Sequence, residues 1–181
     1  MLWAVTFVFL LASLPASAQD SRYANKLAPY VASPPRVVDR MLEMANIKPG
    51  DTVYDLGCGD GRILIAASGK YKAKAVGVEI SPKLAAAATE RIARAGLEGL
   101  AHVIQGDLLE VDLSKADVVT IYLATTLNEK LRPRLEHFLK AGARVVSHDY
   151  AVPGWKATKV DRTDDQRGHV IYLYEMPPVK D

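Results

Sequence analysis

Short apolar segments alternate with longer amphipathic segments along most of the chain. Apolar runs of five to eight residues predict β-strands at residues 52–56, 75–80, 101–105, 117–123 and 143–150. Between them, apolar side chains at helical spacing predict helices at residues 33–47, 62–70 and 81–95, and another that begins near Thr126. The run at 117–123 is apolar on both faces, as expected of a strand that helices cover on both sides. This alternation predicts a parallel sheet between two layers of helices.

The last two predicted strands follow one another without a helix between them. They span residues 157–162 and 169–176, and the short connection predicts an antiparallel hairpin at one edge of the sheet. The predicted fold is therefore α/β: a Rossmann-like, seven-stranded, mostly parallel sheet with helices on both faces and an antiparallel C-terminal edge hairpin.

Several helix boundaries carry recognisable signals. Ser33 and Ser81 each precede proline, which is typical of an N-cap residue followed by the first helical turn. Thr126 and Glu129 have the spacing of a capping box. Pro133 predicts that the helix after them is split, because a proline ring cannot continue a helix interior.

The N-terminal segment has the features of a targeting sequence and is not expected to be part of the folded domain. Residues 1–19 carry no charged side chain, and an apolar run over residues 2–14 precedes Ala16-Ser17-Ala18, a small-x-small signal-peptidase pattern. We expect residues 1–18 to be a cleavable signal that exports the protein to the periplasm or the medium. Residues 19–181 then form a single domain, with its core at about 28–176.

Two alternatives to a cleaved signal stay open. No Lys or Arg precedes the apolar run, whereas Arg22 and Lys26 follow it. This bias would keep the domain in the cytoplasm if residues 2–18 formed an uncleaved membrane anchor. The second alternative is a misassigned start codon.

Composition excludes several classes of protein. The chain has 181 residues, is 49% hydrophobic, and carries a formal net charge of +2. A nucleic-acid-binding domain usually has a much stronger basic excess, so we expect no nucleic-acid partner. A single cysteine, Cys58, rules out an intrachain disulfide, and with four histidines it cannot build a thiolate-rich zinc site. We expect no bound metal and a monomeric protein.

The most informative segment is the glycine-rich loop after the first predicted strand. It consists of Gly57, Cys58, Gly59, Asp60 and Gly61, preceded by Asp55. Glycines at alternate positions let the backbone pass close to a ligand at the start of the next helix. A dinucleotide fingerprint would need a glycine at position 62, where this chain has arginine. Asp55 would repel a pyrophosphate but suits an amino-acid ammonium group.

Acidic residues follow the next two predicted strands as well. Glu79 ends the second strand beside Ile80 and is positioned to accept hydrogen bonds from both ribose hydroxyls of a nucleoside. Asp107 follows the third strand and is suited to an adenine amino group, with Leu108 covering the ring. The predicted sites for an ammonium group, a ribose and an adenine follow one another along the chain. Together they predict S-adenosylmethionine (SAM) as cofactor.

On these motifs the chain resembles the class I, seven-strand SAM-dependent methyltransferases. Within that class it is similar to a small group of protein-lysine methyltransferases that includes a broad-specificity archaeal enzyme and the mitochondrial enzymes acting on the adenine nucleotide translocase and the ATP synthase c-subunit. The segments that carry the resemblance are residues 30–34, 53–62, 76–80, 128–133 and 144–149.

The resemblance implies a cofactor-covering segment at residues 30–33. The hydroxyls of Tyr30 and Ser33 are then expected near the cofactor carboxylate. Ala32 stands where a proline is usual in the family, and Ser33 where threonine is common. We expect these differences to loosen the segment slightly without abolishing the site.

Candidate catalytic residues follow the fourth and fifth predicted strands. Tyr122 could line the acceptor channel, and Asn128 could hold the cofactor or the acceptor amine by its amide. His148 and Asp149 could act as a base and its orienting partner. The structural alternatives are a core tyrosine, a helix cap and a hydrogen-bonded strand end.

Four further residues are expected to have structural roles and not catalytic ones. Cys58 is expected to be a small packed residue of the cofactor loop, and Trp155 a loop anchor. Arg91 and Arg94 are expected to form the solvated face of their helix.

Methyl transfer to a lysine amine of a protein substrate, which could be membrane-associated, is the first functional hypothesis. A small-molecule or lipid acceptor is the second, and a non-catalytic SAM-binding or interaction domain is the third. Nucleic-acid methylation is disfavoured because the fourth strand ends in Ile121-Tyr122-Leu123-Ala124. Base-amino methylases instead place Asn or Asp before two prolines and an aromatic residue there.

Overall fold

The computed structural model describes residues 30–164 and 167–180. Its helices are α1 (Pro35–Met44), α2 (Arg62–Tyr71), α3 (Pro82–Arg94) and α4 (Thr125–Phe138). Its strands are β1 (Thr52–Leu56), β2 (Lys74–Glu79), β3 (Ala101–Gln105), β4 (Val118–Ile121), β5 (Arg144–His148), β6 (Trp155–Lys156), β7 (Lys159–Arg162), β8 (Val170–Glu175) and β9 (Val179–Lys180). The expected leader, residues 1–18, lies outside the described residues.

Seven strands form one mixed sheet in the order β3-β2-β1-β4-β5-β8-β7. The first five are parallel to one another, whereas β8 is antiparallel to β5 and to β7. The predicted fold and its antiparallel hairpin are therefore confirmed. Strand order reverses between β1 and β4, and open α/β sheets bind ligands at the carboxyl ends of the strands that flank such a reversal.

Helices cover both faces of the sheet and define two apolar cores. One core contains Leu42 of α1, Leu64 of α2 and Ile92 of α3, all at most 2% exposed. The other contains Leu131 and Leu135 of α4, both fully buried. Helices on both faces leave the strand ends as the accessible edge of the sheet, which is where the site described below lies.

The prediction for the first helix was wrong at its beginning. Helix α1 starts at Pro35, and its N-cap residue is Pro34, without a side-chain cap. Ser33 instead turns its hydroxyl towards His148, at 2.9 Å from Nδ1. The prediction for α3 was correct, since the Ser81 hydroxyl accepts a hydrogen bond from the Leu84 N–H.

The capping box and the split predicted for α4 were also wrong. The N-cap residue is Ala124, with no side-chain cap, and the helix runs without interruption through Pro133. Pro133 lies on the exposed face, where a carbonyl that loses its backbone partner can hydrogen-bond to water instead. The packing of Leu131 and Leu135 on either side of it holds the helix continuous.

Replacing Pro133 with alanine is therefore expected to stabilise the protein. Alanine restores the missing backbone N–H in a helix that already exists, although a more flexible unfolded chain offsets part of the gain. We expect the free energy of unfolding in urea to rise by about 1–2 kcal/mol. An unchanged or lower value would show that the helix depends on the proline.

A second, two-stranded sheet pairs β6 with β9 and was not predicted. Its strands have two residues each, too few to show a hydrophobic period. Trp155 of β6 is 3% exposed, and its Nε1 donates a hydrogen bond to Glu136 at 2.7 Å. The prediction of Trp155 as a loop anchor is thus confirmed. Across residues 30–164 and 167–180, no helix is both long and apolar enough to span a bilayer.

Candidate active site

The glycine-rich loop links the end of β1 to the start of α2, as predicted. The N–H groups of Gly57 and Cys58 both donate to the Val78 carbonyl, at 2.8 and 3.0 Å. Gly57, Gly59 and Gly61 have φ angles of 82°, 53° and 76°, in the left-handed region that side chains disfavour. The loop therefore needs glycine at these positions to keep its path along the strand ends.

Gly59 is also needed because another part of the chain lies against it. A Cβ at this position would come within 2.2 Å of Cε2 in the Tyr30 ring. Tyr30 is 48% exposed, so its ring covers the loop while one side faces solvent. Burial, followed by the nearby Asp60 carboxylate, raises the pKa of the Tyr30 hydroxyl. The segment at residues 30–33 thus lies over the predicted cofactor loop.

Asp60 belongs to an ion-pair cluster at the outer side of this loop. Arg62 donates to both Asp60 oxygens, at 2.9 and 2.8 Å, and Arg91 pairs with Oδ2. Burial opposes ionisation of Asp60, but the two arginines lower its pKa to about 2. Arg91 also donates to the Asp60 carbonyl at 2.8 Å. The prediction of Arg91 as a merely solvated residue was therefore wrong, because it fastens α3 to the loop.

Asp55 is a buried acid at the end of β1. It is 4% exposed, and its Oδ1 accepts a hydrogen bond from the Thr120 hydroxyl at 2.8 Å. Within the described residues no cationic side chain pairs with it. Burial raises its pKa to about 7, and the Glu79 and Asp60 carboxylates add to this shift. A positively charged ligand group would supply the counter-ion that Asp55 lacks.

Glu79 ties the loop to the beginning of α3. Its Oε2 accepts from the Gly59 N–H and its Oε1 from the Ser81 N–H, each at 2.9 Å. A carboxylate oxygen has two lone pairs, so each oxygen can still accept one bond from a ligand hydroxyl. Ile80 follows it and is half-buried. Both residues lie at the predicted edge of the sheet, and their contact with the cofactor stays a prediction.

Asp107 and Leu108 follow β3 along the same edge. Asp107 Oδ1 accepts from the Leu109 N–H at 2.9 Å, which fixes the turn. Leu108 is half-buried and packs against the core that contains α4. The two residues lie in order after Asp55 and Glu79, but their contact with adenine stays a prediction.

Cys58 packs as a small buried residue. It is 5% exposed, and burial raises the pKa of its thiol, which makes it a poor nucleophile. Its sulfur lies against Gly77 of β2, where an added Cβ would come within 2.5 Å. It contributes to the cofactor loop through its backbone and its packing.

Three of the four candidate catalytic residues come together at the ends of β4 and β5. The Tyr122 and His148 rings are in contact, with centroids 3.9 Å apart and planes tilted by 32°, and the Tyr122 hydroxyl donates to Asp149 at 3.3 Å. Burial, followed by Asp149, raises the pKa of Tyr122, so the hydroxyl stays protonated as a donor. The exposed Tyr150 ring lies 6.1 Å from Tyr122 and extends this group towards solvent.

Sequence reasoning missed one member of the cluster, His169. This residue is 8% exposed, and its Nδ1 lies 3.0 Å from both His148 Nε2 and Asp149 Oδ2. Burial opposes ionisation of Asp149, but bonds from the Val170 N–H and from His169 outweigh it and lower the pKa of Asp149. Asp149 is thus a charged acceptor and a weak base.

Asn128, the fourth candidate, does not join this cluster through its side chain. Its Nδ2 donates to the carbonyls of Tyr150 and Ala151, at 3.1 and 3.4 Å. It is fully buried, and its Oδ1 has no hydrogen-bond partner among the described residues. Asn128 fastens the segment after β5 to α4. Its predicted alternative role as a helix cap was wrong.

The residues at the strand ends fit SAM by their chemistry. A buried acid without a cationic partner suits the ammonium group, and the Glu79 oxygens, each able to accept one more bond, suit the ribose hydroxyls. The sequence family described as the ANTKMT methyltransferase domain matches residues 55–159, which include this loop and the carboxyl ends of strands β1 to β5. The chain belongs to this family. It is an enzyme of the SAM-dependent methyltransferase type.

Relatives and solved structures agree with this assignment. A protein-lysine N-methyltransferase of Saccharolobus islandicus is 47% identical over 148 residues, covering 81% of this chain and 92% of the relative. An adenine nucleotide translocase lysine N-methyltransferase of Mus musculus is 36% identical, covering 73% of this chain and 57% of the relative. An RNA methyltransferase from Salinibacter ruber, solved with S-adenosyl-L-homocysteine, is 44% identical with a TM-score of 0.78, covering 81% of this methyltransferase and 94% of that chain.

Proposed function

We propose that this methyltransferase transfers a methyl group from SAM to the side-chain amine of lysine in a protein substrate. The observation that carries the proposal is its 47% identity to a protein-lysine N-methyltransferase across 92% of that relative. A match of 148 residues in a chain of 181 necessarily includes the cofactor loop at residues 57–61.

The proposed cofactor contacts follow the strand ends in order. Asp55 accepts from the ammonium group, Glu79 from the ribose hydroxyls and Asp107 from the adenine amine, while Leu108 covers the ring. Bound SAM supplies an electrophilic methyl group on a sulfonium. The chain positions the acceptor in line with it and excludes water. Tyr30 and Ser33 belong to the segment that closes over this site.

The acceptor lysine has to be neutral before it can react. With an ordinary pKa near 10.4, the neutral form costs about 4 kcal/mol at pH 7.4. We propose that Tyr122 and Asp149 orient the amine, because the hydroxyl and the carboxylate lie 3.3 Å apart and Tyr122 is half-buried. Desolvation between Tyr122 and Tyr150 lowers the lysine pKa.

RNA is the competing acceptor, because the relative from Salinibacter ruber is described as an RNA methyltransferase. The net charge of +2 argues against this acceptor, since RNA-binding surfaces are strongly basic. A lipid or small-molecule acceptor has no comparable relative among those described above.

Product analysis distinguishes these acceptors. The full-length enzyme is incubated with methyl-labelled SAM and, in parallel, with a protein extract, total RNA and extracted lipids from the source cells. We expect label in discrete proteins, recovered as methyl-lysine after acid hydrolysis, and none with the Asp55→Asn variant. Label recovered only as methylated nucleosides or lipids would overturn the proposal.

Replacing Tyr122 with phenylalanine tests the acceptor site separately. The change removes the hydroxyl but keeps the ring that contacts His148. We expect kcat on a protein substrate to fall about tenfold or more, with the Kd for SAM unchanged, because one positioned hydrogen bond is lost. Phenylalanine at the exposed Tyr150 is the matched control and should have a smaller effect. Equal activity of Tyr122→Phe and wild type would remove the hydroxyl from the mechanism.

The location of the enzyme is a separate proposal that rests on the leader pattern alone. We propose that residues 1–18 direct the protein to or across a membrane, where its acceptor would be a membrane-associated protein. Fractionation of cells that express the full chain, with N-terminal sequencing, is expected to find the protein in the membrane or periplasm. Recovery of the uncleaved chain in the soluble cytoplasmic fraction would contradict it.

A further inference from the structure

Two histidines and one aspartate, side-chain types that can bind metal ions, meet where β5 ends and β8 begins. His148 Nε2 lies 3.0 Å from His169 Nδ1, and Asp149 Oδ2 lies 3.3 Å from the first nitrogen and 3.0 Å from the second. These distances join the same three atoms, so the atoms form a closed triangle. His148 and His169 are buried, and the Asp149 side chain is 25% exposed. The triangle is therefore enclosed by protein but open to solvent on one side.

Hydrogen bonds do not satisfy every edge of this triangle. If Nδ1 of His169 carries the proton, an unprotonated His148 Nε2 faces the Asp149 oxygen across 3.3 Å. If Nε2 of His148 carries it instead, an unprotonated His169 Nδ1 faces that oxygen across 3.0 Å. If both nitrogens carry a proton, the two hydrogens lie close together along the edge between the two histidines. Each arrangement leaves one edge repulsive, whereas a central cation is attractive to all three atoms.

The dimensions of the triangle match a bound transition-metal ion. A point about 2.1 Å from all three atoms lies about 1 Å outside their plane, and 2.1 Å is an ordinary Zn–N or Zn–O distance. At that distance, ligand atoms at right angles are about 3.0 Å apart, and tetrahedral ligands about 3.4 Å. The observed separations of 3.0 and 3.3 Å fall within these limits.

Neighbouring groups hold the three side chains in this arrangement. The second nitrogen of His148, Nδ1, lies 2.9 Å from the Ser33 hydroxyl, and a hydrogen bond at the second nitrogen is what fixes the ring of a metal-bound histidine. The other oxygen of Asp149, Oδ1, accepts from the Val170 N–H at 3.0 Å. Asp149 has a φ of 61°, which interrupts the strand alternation that would otherwise send consecutive side chains to opposite faces.

We propose that His148, Asp149 and His169 bind one divalent transition-metal ion, for which Zn²⁺ is the best match. Two imidazoles and one carboxylate suit Zn²⁺, whereas Mg²⁺ and Ca²⁺ prefer oxygen ligands. Three protein ligands leave a coordination position for water on the exposed side. The double charge also lowers the pKa of a nearby substrate ammonium by repulsion. The sequence predicted no metal, because pairing of β5 with β8 is what brings His169 to His148.

Metal titration tests this proposal without any activity assay. The full-length protein, carrying no polyhistidine tag and stripped with EDTA, is titrated with ZnCl₂ by calorimetry and with CoCl₂ by visible absorption. We expect one Zn²⁺ per chain, and Co²⁺ absorption bands of four- or five-coordinate geometry. Binding of less than half an equivalent of Zn²⁺ by the wild-type protein would overturn the proposal, whether or not the enzyme methylates lysine.

Variants assign the bound ion to these ligands. His169→Gln and Asp149→Asn each remove one ligand with little change in volume, and His102→Gln removes an exposed histidine on β3 as a matched control. We expect the Zn²⁺ affinity to fall about 100-fold or more in the first two and to stay unchanged in the third. Equal affinity of wild type, His169→Gln and Asp149→Asn would overturn the site. Near-ultraviolet circular dichroism checks that each variant is folded, and either ligand variant alone suffices for the assignment.

Discussion

An Asp55→Asn variant is expected to lose SAM binding and, at the same time, to be more stable than the ligand-free wild type. The carboxylate of Asp55 is the buried acid that lacks a cationic partner, and the ligand ammonium is expected to supply one. Truncating one partner of a buried charge pair costs about 2–5 kcal/mol. We therefore expect the Kd for SAM to rise about 100-fold or more, as measured by calorimetry at pH 8.

The gain in stability follows from the raised pKa of Asp55. Its folded pKa of about 7 lies above the ordinary value of 3.8, so ionisation opposes folding. The neutral form of such an acid contributes its full stabilisation to the free energy of unfolding below about pH 4. This contribution is lost as the pH rises to about 7. The full loss is about 4 kcal/mol at 1.4 kcal/mol per pH unit. Asparagine keeps the Thr120 bond without a charge, and we expect a net gain of about 1–3 kcal/mol at pH 8.

The pH dependence separates this explanation from a general effect of the substitution. Between pH 5 and 8, the free energy of unfolding of the ligand-free wild type should fall relative to that of Asp55→Asn. The SAM affinity of the wild type should fall as the pH drops below about 7, because the ammonium selects the ionised carboxylate. A variant that is less stable at pH 8, or that keeps the wild-type affinity for SAM, would contradict the assigned role of Asp55.

A Gly77→Ala variant is expected to be strongly destabilised. Gly77 pairs with Asp55 in the register of β1 and β2, and a Cβ there would lie 2.5 Å from the Cys58 sulfur and 2.6 Å from Leu64 Cδ1. Both neighbours are buried and cannot move aside into solvent. Overpacking of this kind costs about 2–3 kcal/mol, which for a chain of this size lowers Tm by about 5–10 °C.

Two controls isolate the steric cause. Gly99 has nothing within 4 Å of an added Cβ and no positive φ, so Gly99→Ala should leave the free energy of unfolding within about 0.5 kcal/mol of wild type. Adding Cys58→Ala to Gly77→Ala removes the sulfur contact but leaves the Leu64 contact, and should restore part of the loss. If Gly77→Ala unfolds at the same urea concentration as Gly99→Ala, the loop and β2 are less tightly packed than described.

The sequence was sufficient for the parts of the fold that depend on local patterns. Strands β1 and β3 have the predicted bounds, and the other predicted strands differ by one or two residues at one or both ends. The positions after β1, β2 and β3 could be predicted as a site because parallel strands place their carboxyl ends at one edge. Asp55 and Glu79 lie there as expected.

The remaining features depend on contacts between distant residues. His169 reaches His148 only because β8 runs antiparallel to β5, with His148 paired to Ile171. No spacing in the sequence indicates that pairing, which is why the third residue of the cluster was missed. Likewise, Ser33 was predicted as a helix cap because its local context fits one, whereas its hydroxyl bonds to a histidine 115 positions away. Pro133 shows the same effect, since tertiary packing overrides a local helix-breaking preference.

A crystal structure of the full-length protein with S-adenosylhomocysteine would test the central claim most directly. We expect the ammonium of the ligand within hydrogen-bond distance of Asp55, the ribose hydroxyls on Glu79 and the adenine amine on Asp107. The sulfur should then face the cluster formed by Tyr122 and Asp149. A ligand bound elsewhere, with Asp55 bonded only to Thr120, would contradict the account of how this methyltransferase holds its cofactor.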